Sequence, residues 1–150
     1  MAQRSKKDQI AEAALPLFLE HGVKGTSIDM VVKSARVSKP TVYNHFPDKA
    51  NLFYHTLALW LTGQPEPGFK ARSEKGLLSE LAKTWLNQDA LRFYGLLMGE
   101  GFRVPDAKQK FSQSYDLLWR NSLTRWAEQY DLDQETLSNQ VNSIIIQALL

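Results

Sequence analysis

The stretch SARVSKPTVYNHF, residues 34–46, restricts the fold of this chain more than any other feature. It begins with the last two residues of the short segment IDMVVKSA and places Pro40 two residues after Ser38. A serine at a helix N-cap accepts backbone N–H groups of the first turn, where proline's missing donor costs little. Val42 and Phe46 lie four residues apart and can face inward together. The stretch therefore predicts a second short helix that begins, rather than ends, at its proline.

The segments before this stretch also have helical periodicity. Residues 5–21 predict a first helix that ends near Gly22, with Pro16 expected to kink it or weaken one turn. Ser27 or Thr26 is expected to cap the short second helix. Three short helices thus make up the N-terminal part of the chain.

The rest of the chain predicts further helices and no strands. Asp48 is expected to cap a fourth helix, and the loop sequence GQPEPG at 63–68 predicts the clearest internal boundary. Helical segments follow at about 77–86, 89–101 and 106–130, and a last one begins at Asp133. No segment alternates between apolar and polar residues as a strand would. The prediction is an all-α fold in which the fourth helix links a three-helix domain, residues 1–49, to a helical domain, residues 50–150.

Composition limits the classes of function. The 150 residues are 43% hydrophobic, as in ordinary globular proteins, and no run of apolar residues is long enough to predict a membrane span. The N-terminus lacks the apolar segment of a signal peptide, and the absence of cysteine fits a cytoplasmic protein. Residues 1–49 hold eight basic and five acidic side chains, against ten and eleven in the remainder. A basic N-terminal part suits a nucleic-acid partner, although such a bias also arises by chance.

Two short helices joined by a tight turn, the second with a polar outer face, describe a helix-turn-helix, whose second helix enters the DNA major groove. The residue types fit this reading. Lys39 suits a phosphate or guanine, Asn44 suits adenine, and Thr41 suits a thymine methyl group or a phosphate. Tyr43 and His45 suit phosphates. The alternative is that this polar face is merely solvated.

Residues 10–57 resemble the N-terminal DNA-binding domain of TetR-family transcriptional regulators. The resemblance rests on AALPLFLEHGVKGTS, IDMVVKSA, RVSKPTVYNHFPDK and the following LF. More weakly, GLLMGEGFRVPDAKQKF resembles the region between the sixth and seventh helices of the same family. Two residues depart from the pattern. Pro16 is unusual in the first helix, and Arg36 stands where glycine is common, in a turn that often needs left-handed backbone.

The resemblance implies a homodimer that places two third helices in successive major grooves of a palindromic, double-stranded DNA operator, roughly 34 Å apart. A small apolar or aromatic effector would change the separation of the two heads and release DNA, so that the protein acts as a ligand-responsive repressor. The implied DNA-contacting residues are Ser27, Arg36, Ser38, Lys39, Pro40, Thr41, Tyr43, Asn44, His45 and Lys49.

The C-terminal half is rich in aromatic residues that are either core or the lining of an effector pocket. The pocket candidates are Trp85, Phe93, Tyr94, Leu97, Met98, Phe102, Trp119 and Trp126. The last helix predicts a dimer seam or, alternatively, a monomer core, through Leu137, Val141, Ile144, Ile145, Ala148 and Leu149. The apolar ending SIIIQALL predicts either a partner that covers it or a chain that is longer than these 150 residues.

No pattern in the sequence predicts catalysis or a bound metal. The three histidines show no paired spacing, and no nucleophile–base arrangement or glycine-rich phosphate loop is present. We therefore expect no cofactor and no enzymatic activity. The remaining alternative is a helical interaction module whose helix-turn-helix no longer reads DNA, which salt-dependent DNA binding would distinguish from a reader.

Overall fold

The computed structural model describes residues 4–150, and within that range every regular element is helical. The α-helices are α1 Lys6–His21, α2 Ile28–Ala35, α3 Lys39–His45, α4 Lys49–Thr62, α5 Glu74–Thr84, α6 Gln88–Glu100, α7 Pro105–Phe111, α8 Leu117–Gln129 and α9 Gln134–Leu149. A 3₁₀ turn, Gly101–Arg103, follows α6. The all-α prediction is confirmed. The first three residues of the predicted N-terminal domain lie outside the described range.

Side-chain caps explain where most helices begin. A serine or aspartate accepts a backbone N–H of the first turn and satisfies a donor that has no intrahelical partner. The caps are Ser5, Ser27, Ser38, Asp48, Ser73 and Asp133. Four of these starts, at Ser27, Ser38, Asp48 and Asp133, were predicted from the sequence. Pro16 does not end α1, which runs on to His21, and Gly22 ends it with a φ of 78°.

The segment predicted as one helix over 106–130 is instead three consecutive helical pieces. A π-helical turn, Ser112–Asp116, lies between α7 and α8. A π turn accommodates one extra residue in the helical backbone, so its hydrogen bonds span five residues instead of four. Residue periodicity alone does not reveal such an insertion, because the apolar residues on both sides keep helical spacing.

The chain forms two compact units, and the first contains the described residues up to Gln64 together with Leu96–Phe111. In this unit α1 packs against α2 and α4, α2 against α3, and α4 against α7. Phe18 of α1 meets Phe53 of α4 edge to face at 5.1 Å between ring centroids. Because α4 shares its core with α1, the first unit extends well beyond residue 49. A functional division at residue 49 remains a prediction.

The second unit contains Pro65–Gly95 and Ser112–Leu150. Its first residue falls within the GQPEPG loop, where the sequence predicts the internal boundary. Tyr115 packs against Trp85 and donates its hydroxyl to the Trp85 carbonyl at 2.6 Å. The Trp126 indole donates to the Ala71 carbonyl at 2.8 Å and so secures the segment that precedes α5. Helices α8 and α9 pack against each other within this unit.

Candidate nucleic-acid interface

Helices α2 and α3 form a helix-turn-helix whose turn depends on particular residues. Arg36 ends α2 in the left-handed region, at φ 58° and ψ 45°, and its N–H bonds to the Val32 carbonyl. This confirms the left-handed backbone predicted at the position where glycine is common. Ser38 Oγ then accepts the Thr41 N–H at 3.2 Å and lies 2.6 Å from the Thr41 hydroxyl. Pro40 is the second residue of α3, where its missing N–H has no cost.

Helix α3 has one buried side and one exposed side, as predicted. Val42 is fully buried and Phe46 is 2% exposed, whereas Tyr43 is 46% exposed. The predicted DNA-contacting residues lie on the first unit and are exposed or half-buried, which leaves them accessible to a partner: Ser27, Arg36, Ser38, Lys39, Pro40, Thr41, Tyr43, Asn44, His45 and Lys49. The helix thus exposes a small polar surface, while Val42 and Phe46 anchor its other side in the core.

The turn between α1 and α2 is held by a buried threonine. The Thr26 hydroxyl donates toward the Gly22 carbonyl at 2.7 Å and the Leu17 carbonyl at 3.0 Å. The Lys49 ammonium donates to the Thr26 carbonyl at 3.0 Å. Lys49 therefore has a structural role in joining α4 to this turn, and its two other N–H donors are those available to a phosphate.

A carboxylate that the sequence did not indicate lies beside the first residue of α3. The Lys39 ammonium is 3.0 Å from Asp29 Oδ1 of α2, and both side chains are exposed. The hydrogen bond with Asp29 raises the pKa of Lys39 above its ordinary value. Ten residues separate the two, and only the geometry of the turn brings them together. The phosphate contact that the sequence predicts for Lys39 would compete with this ion pair.

A second missed residue is Glu100, the last residue of α6. Its Oε2 accepts the Val23 N–H at 2.8 Å, and its Oε1 accepts the Lys24 N–H at 2.9 Å. Arg103 Nε lies 3.4 Å from the same Oε1. The contact with the α1–α2 turn spans more than 70 residues, and no local pattern signals it.

Helix α4 is joined to α1 by a polar contact that lies next to Phe46. His55 Nε2 is 2.8 Å from Asp8 Oδ1, and this hydrogen bond lowers the pKa of Asp8 below its ordinary value. The His55 ring also packs against Phe46, with 5.6 Å between centroids, and the Lys7 ammonium lies over the Phe46 ring. The end of α3 is thus surrounded by residues from α1 and α4.

The predicted effector-pocket residues do not share one environment. Trp85, Phe93, Tyr94, Leu97, Trp119 and Trp126 are buried, whereas Met98 and Phe102 are 68% and 73% exposed. The Tyr94 hydroxyl donates to Asp116 at 2.5 Å and accepts the Trp119 indole N–H at 2.9 Å. Burial, followed by the bond to Asp116, raises the pKa of Tyr94 well above its ordinary value. A role for the eight residues in effector binding remains a prediction.

Two features bear on other classes of function. Within residues 4–150, no group of three or more histidine, cysteine or acidic side chains is arranged to hold a metal ion. None of the helices in that range has both the length and the apolar composition needed to cross a bilayer.

The architecture and the exposed third helix define a helix-turn-helix protein. Residues 10–55 match the family model of bacterial regulatory proteins of the tetR family. The resemblance inferred from the sequence is therefore confirmed for this segment of the chain.

Curated relatives match over the same region. The biofilm operon negative transcriptional regulator IcaR of Staphylococcus aureus is 38% identical over 47 residues, which cover 31% of this chain and 25% of IcaR. The transcriptional regulator AcrR of Shigella flexneri is 37% identical over 59 residues, covering 35% of this chain and 27% of AcrR. The matched segment thus spans about a quarter of either relative.

A solved structure extends the similarity of fold to nearly the whole chain. The fatty acid degradation regulator FadR of Bacillus halodurans aligns with a TM-score of 0.64, covering 99% of this chain and 85% of that one, at 17% identity. At this identity the match supports the all-α fold and does not carry the function of FadR to this chain.

Proposed function

We propose that this protein is a sequence-specific DNA-binding transcriptional regulator. The observation that carries the proposal is the capped α3, which buries Val42 and Phe46 and exposes Lys39, Tyr43 and Asn44, within a segment that matches the tetR family. Such a helix fits the major groove, with its N-terminal residues at base edges. Both curated relatives are named as transcriptional regulators, and IcaR as a negative one, which favours repression. A DNA partner also favours a cytoplasmic location.

The protein would bind its operator as a homodimer. Exposed apolar residues on the last two helices support this: Leu117 and Leu118 on α8 are 45% and 40% exposed, and Ile146 on α9 is 53% exposed. Leu137, Val141 and Ile145 are buried within the same unit, so that side of α9 belongs to the core of one subunit rather than to a seam. The dimer surface proposed here is therefore the opposite side of α9 together with the exposed side of α8.

A small apolar or aromatic effector would bind in the second unit and weaken DNA binding. Its support is the set of buried aromatic side chains in that unit, which includes Trp85, Phe93 and Trp119. The Trp85 indole N–H is buried and has no hydrogen-bond partner among residues 4–150. Buried donors are nearly always satisfied, so an effector with an oxygen acceptor fits beside Trp85 better than a pure hydrocarbon.

Selection from random double-stranded DNA tests the central proposal. The purified protein is incubated with a random duplex library at low salt, and bound DNA is sequenced over several rounds. We expect an enriched palindrome whose half-sites lie about one helical turn apart. Asn44→Ala should relax preference at one base pair of each half-site, whereas Tyr43→Ala with Lys49→Ala should weaken binding at all sequences. If the folded dimer enriches nothing, the chain is an interaction module instead.

A further inference from the structure

The Glu100 carboxylate, which is distant in the sequence, hydrogen-bonds to the backbone of the α1–α2 turn. Glu100 accepts two consecutive backbone N–H groups, those of Val23 and Lys24, at 2.8 and 2.9 Å. Its side chain is only 23% exposed, and Val23 is 3% exposed. Hydrogen bonds to an ionised acceptor are stronger than neutral ones, and a part-buried N–H that loses its acceptor is costly.

The position of Glu100 in its own helix does not explain its presence. It is the last residue of α6, and a negative charge at a helix C-terminus is disfavoured by the helix dipole. Arg103 offsets that charge only in part, at 3.4 Å. The favourable contacts of the carboxylate are those with the turn. Glu100 therefore stabilises the α1–α2 turn rather than α6.

The turn is also shaped to receive this carboxylate. Gly22 has a φ of 78°, and a Cβ at this position would collide with Glu100 Oε2. The glycine thus provides both the left-handed backbone that ends α1 and the space in which the carboxylate lies. Three residues after Lys24, Ser27 caps α2. A shift of the turn would therefore move the start of α2 and, with it, α3.

We propose that Glu100 is a positioning residue for operator binding. By holding the two N–H groups it fixes the α1–α2 turn, and thereby the orientation of the helix-turn-helix, at the end of α6. The inference rests on the DNA-binding function proposed above. It assigns to residues 96–111, which the sequence prediction places in the helical domain of residues 50–150, a direct part in presenting α3 to DNA.

Three variants at Glu100 test the inference. Glu100→Gln keeps the shape of the side chain but turns one acceptor into a donor, and Glu100→Ala removes both acceptors. Glu100→Asp keeps the charge but, with a shorter side chain, moves it away from the two N–H groups. Two matched controls are available. Arg103→Ala removes the ion pair and leaves both backbone bonds. Glu80→Gln alters a similar carboxylate in the second unit, where Glu80 accepts the N–H groups of Lys70 and Ala71.

Affinity is measured for the selected operator and for a scrambled duplex of equal length, well below the thermal midpoint of each variant. We expect the Glu100 variants to lose about tenfold in operator affinity, since two charge-assisted bonds are lost. The affinity of these variants for the scrambled duplex should stay within about twofold of that of the wild type. Its dependence on salt should be unchanged, because no phosphate contact is removed. The controls should retain operator affinity. The amide protons of Val23 and Lys24 should exchange faster in the Glu100 variants alone.

Several outcomes would overturn the inference. In one, the amide protons of Val23 and Lys24 exchange faster in Glu100→Gln, but this variant binds the operator as tightly as the wild type does. Another is an equal loss on both duplexes, or an equal loss in Glu80→Gln, which would show a general loss of stability. If Glu100→Gln and Glu100→Ala do not fold, the same criteria apply to Glu100→Asp. A wild-type protein that binds no duplex would defeat the proposed function itself, before any variant is compared.

Discussion

The ion pair between Lys39 and Asp29 leads to a prediction about the salt dependence of DNA binding. If Lys39 contacts a phosphate, Lys39→Ala removes one such contact from each subunit. Each contact contributes about 0.9 to the slope of log affinity against log salt, so a dimer should lose roughly 1.8 from this slope. Between 50 and 200 mM salt, the decline in affinity of Lys39→Ala should then be roughly 12-fold smaller than that of the wild type.

Asp29→Asn should have the opposite effect on affinity. The Asp29 carboxylate lies 3.0 Å from the Lys39 ammonium and competes with DNA for it. Because both side chains are exposed, the competition is weak, and its removal should tighten operator binding by roughly two- to fivefold. In the Lys39→Ala background the gain from Asp29→Asn should be smaller, since only the repulsion between Asp29 and DNA is then relieved.

Fluorescence anisotropy with a labelled operator at four or five salt concentrations measures both the operator affinity and its slope against salt. Lys75→Ala, which removes an exposed lysine from α5 in the second unit, is the control for net charge. An unchanged slope in Lys39→Ala would refute the phosphate contact. Weaker binding by Asp29→Asn would refute the competition and show that Asp29 holds Lys39 in its DNA-binding position.

Three further predictions concern the scaffold. Thr26→Val should lower the free energy of unfolding by about 1–3 kcal/mol in chemical denaturation, because a buried hydroxyl that serves two carbonyls is lost; an unchanged midpoint would refute this. Arg36→Gly should raise it by up to about 1 kcal/mol, since glycine adopts φ 58° without strain, while weaker operator binding by the same variant would reveal a phosphate contact. The lowered pKa of Asp8 stabilises the fold above pH 3.8, and this contribution is lost as pH falls through the folded-state pKa. Asp8→Asn should therefore be less stable than the wild type at pH 6, with a difference that shrinks on acidification, as thermal unfolding at several pH values would show.

The sequence predicted local structure well because local chemistry determines it. Ser38, Pro40 and Asp48 act within one turn of their own positions, so their spacing was sufficient to place α3 and the start of α4. Arg36 was recognised as a left-handed turn residue for the same reason. The exposed and buried sides of α3 followed from the spacing of Val42 and Phe46.

The sequence did not predict contacts that depend on how helices pack. Asp29 meets Lys39 only because the turn folds α2 back toward α3, and Glu100 meets the α1–α2 turn across more than 70 residues of the chain. The sequence does not distinguish the exposed Met98 and Phe102 from the buried aromatic residues, because composition cannot distinguish an exposed apolar side chain from a core one. Their exposure depends on which side of α6 and of the following turn is covered.

The π turn at Ser112–Asp116 makes the chain sensitive to its own length at that position. Removal of a single residue there would restore regular α-helical hydrogen bonding, so the backbone itself would lose little. It would also move each residue of α8 by one position along that helix, which is about 100° around its axis. Trp119 and Leu123 would then turn away from the core that they now fill. The π turn thus lies between a helix that buries Ala107 and Phe111 in the first unit and a helix that buries Trp119 and Leu123 in the second.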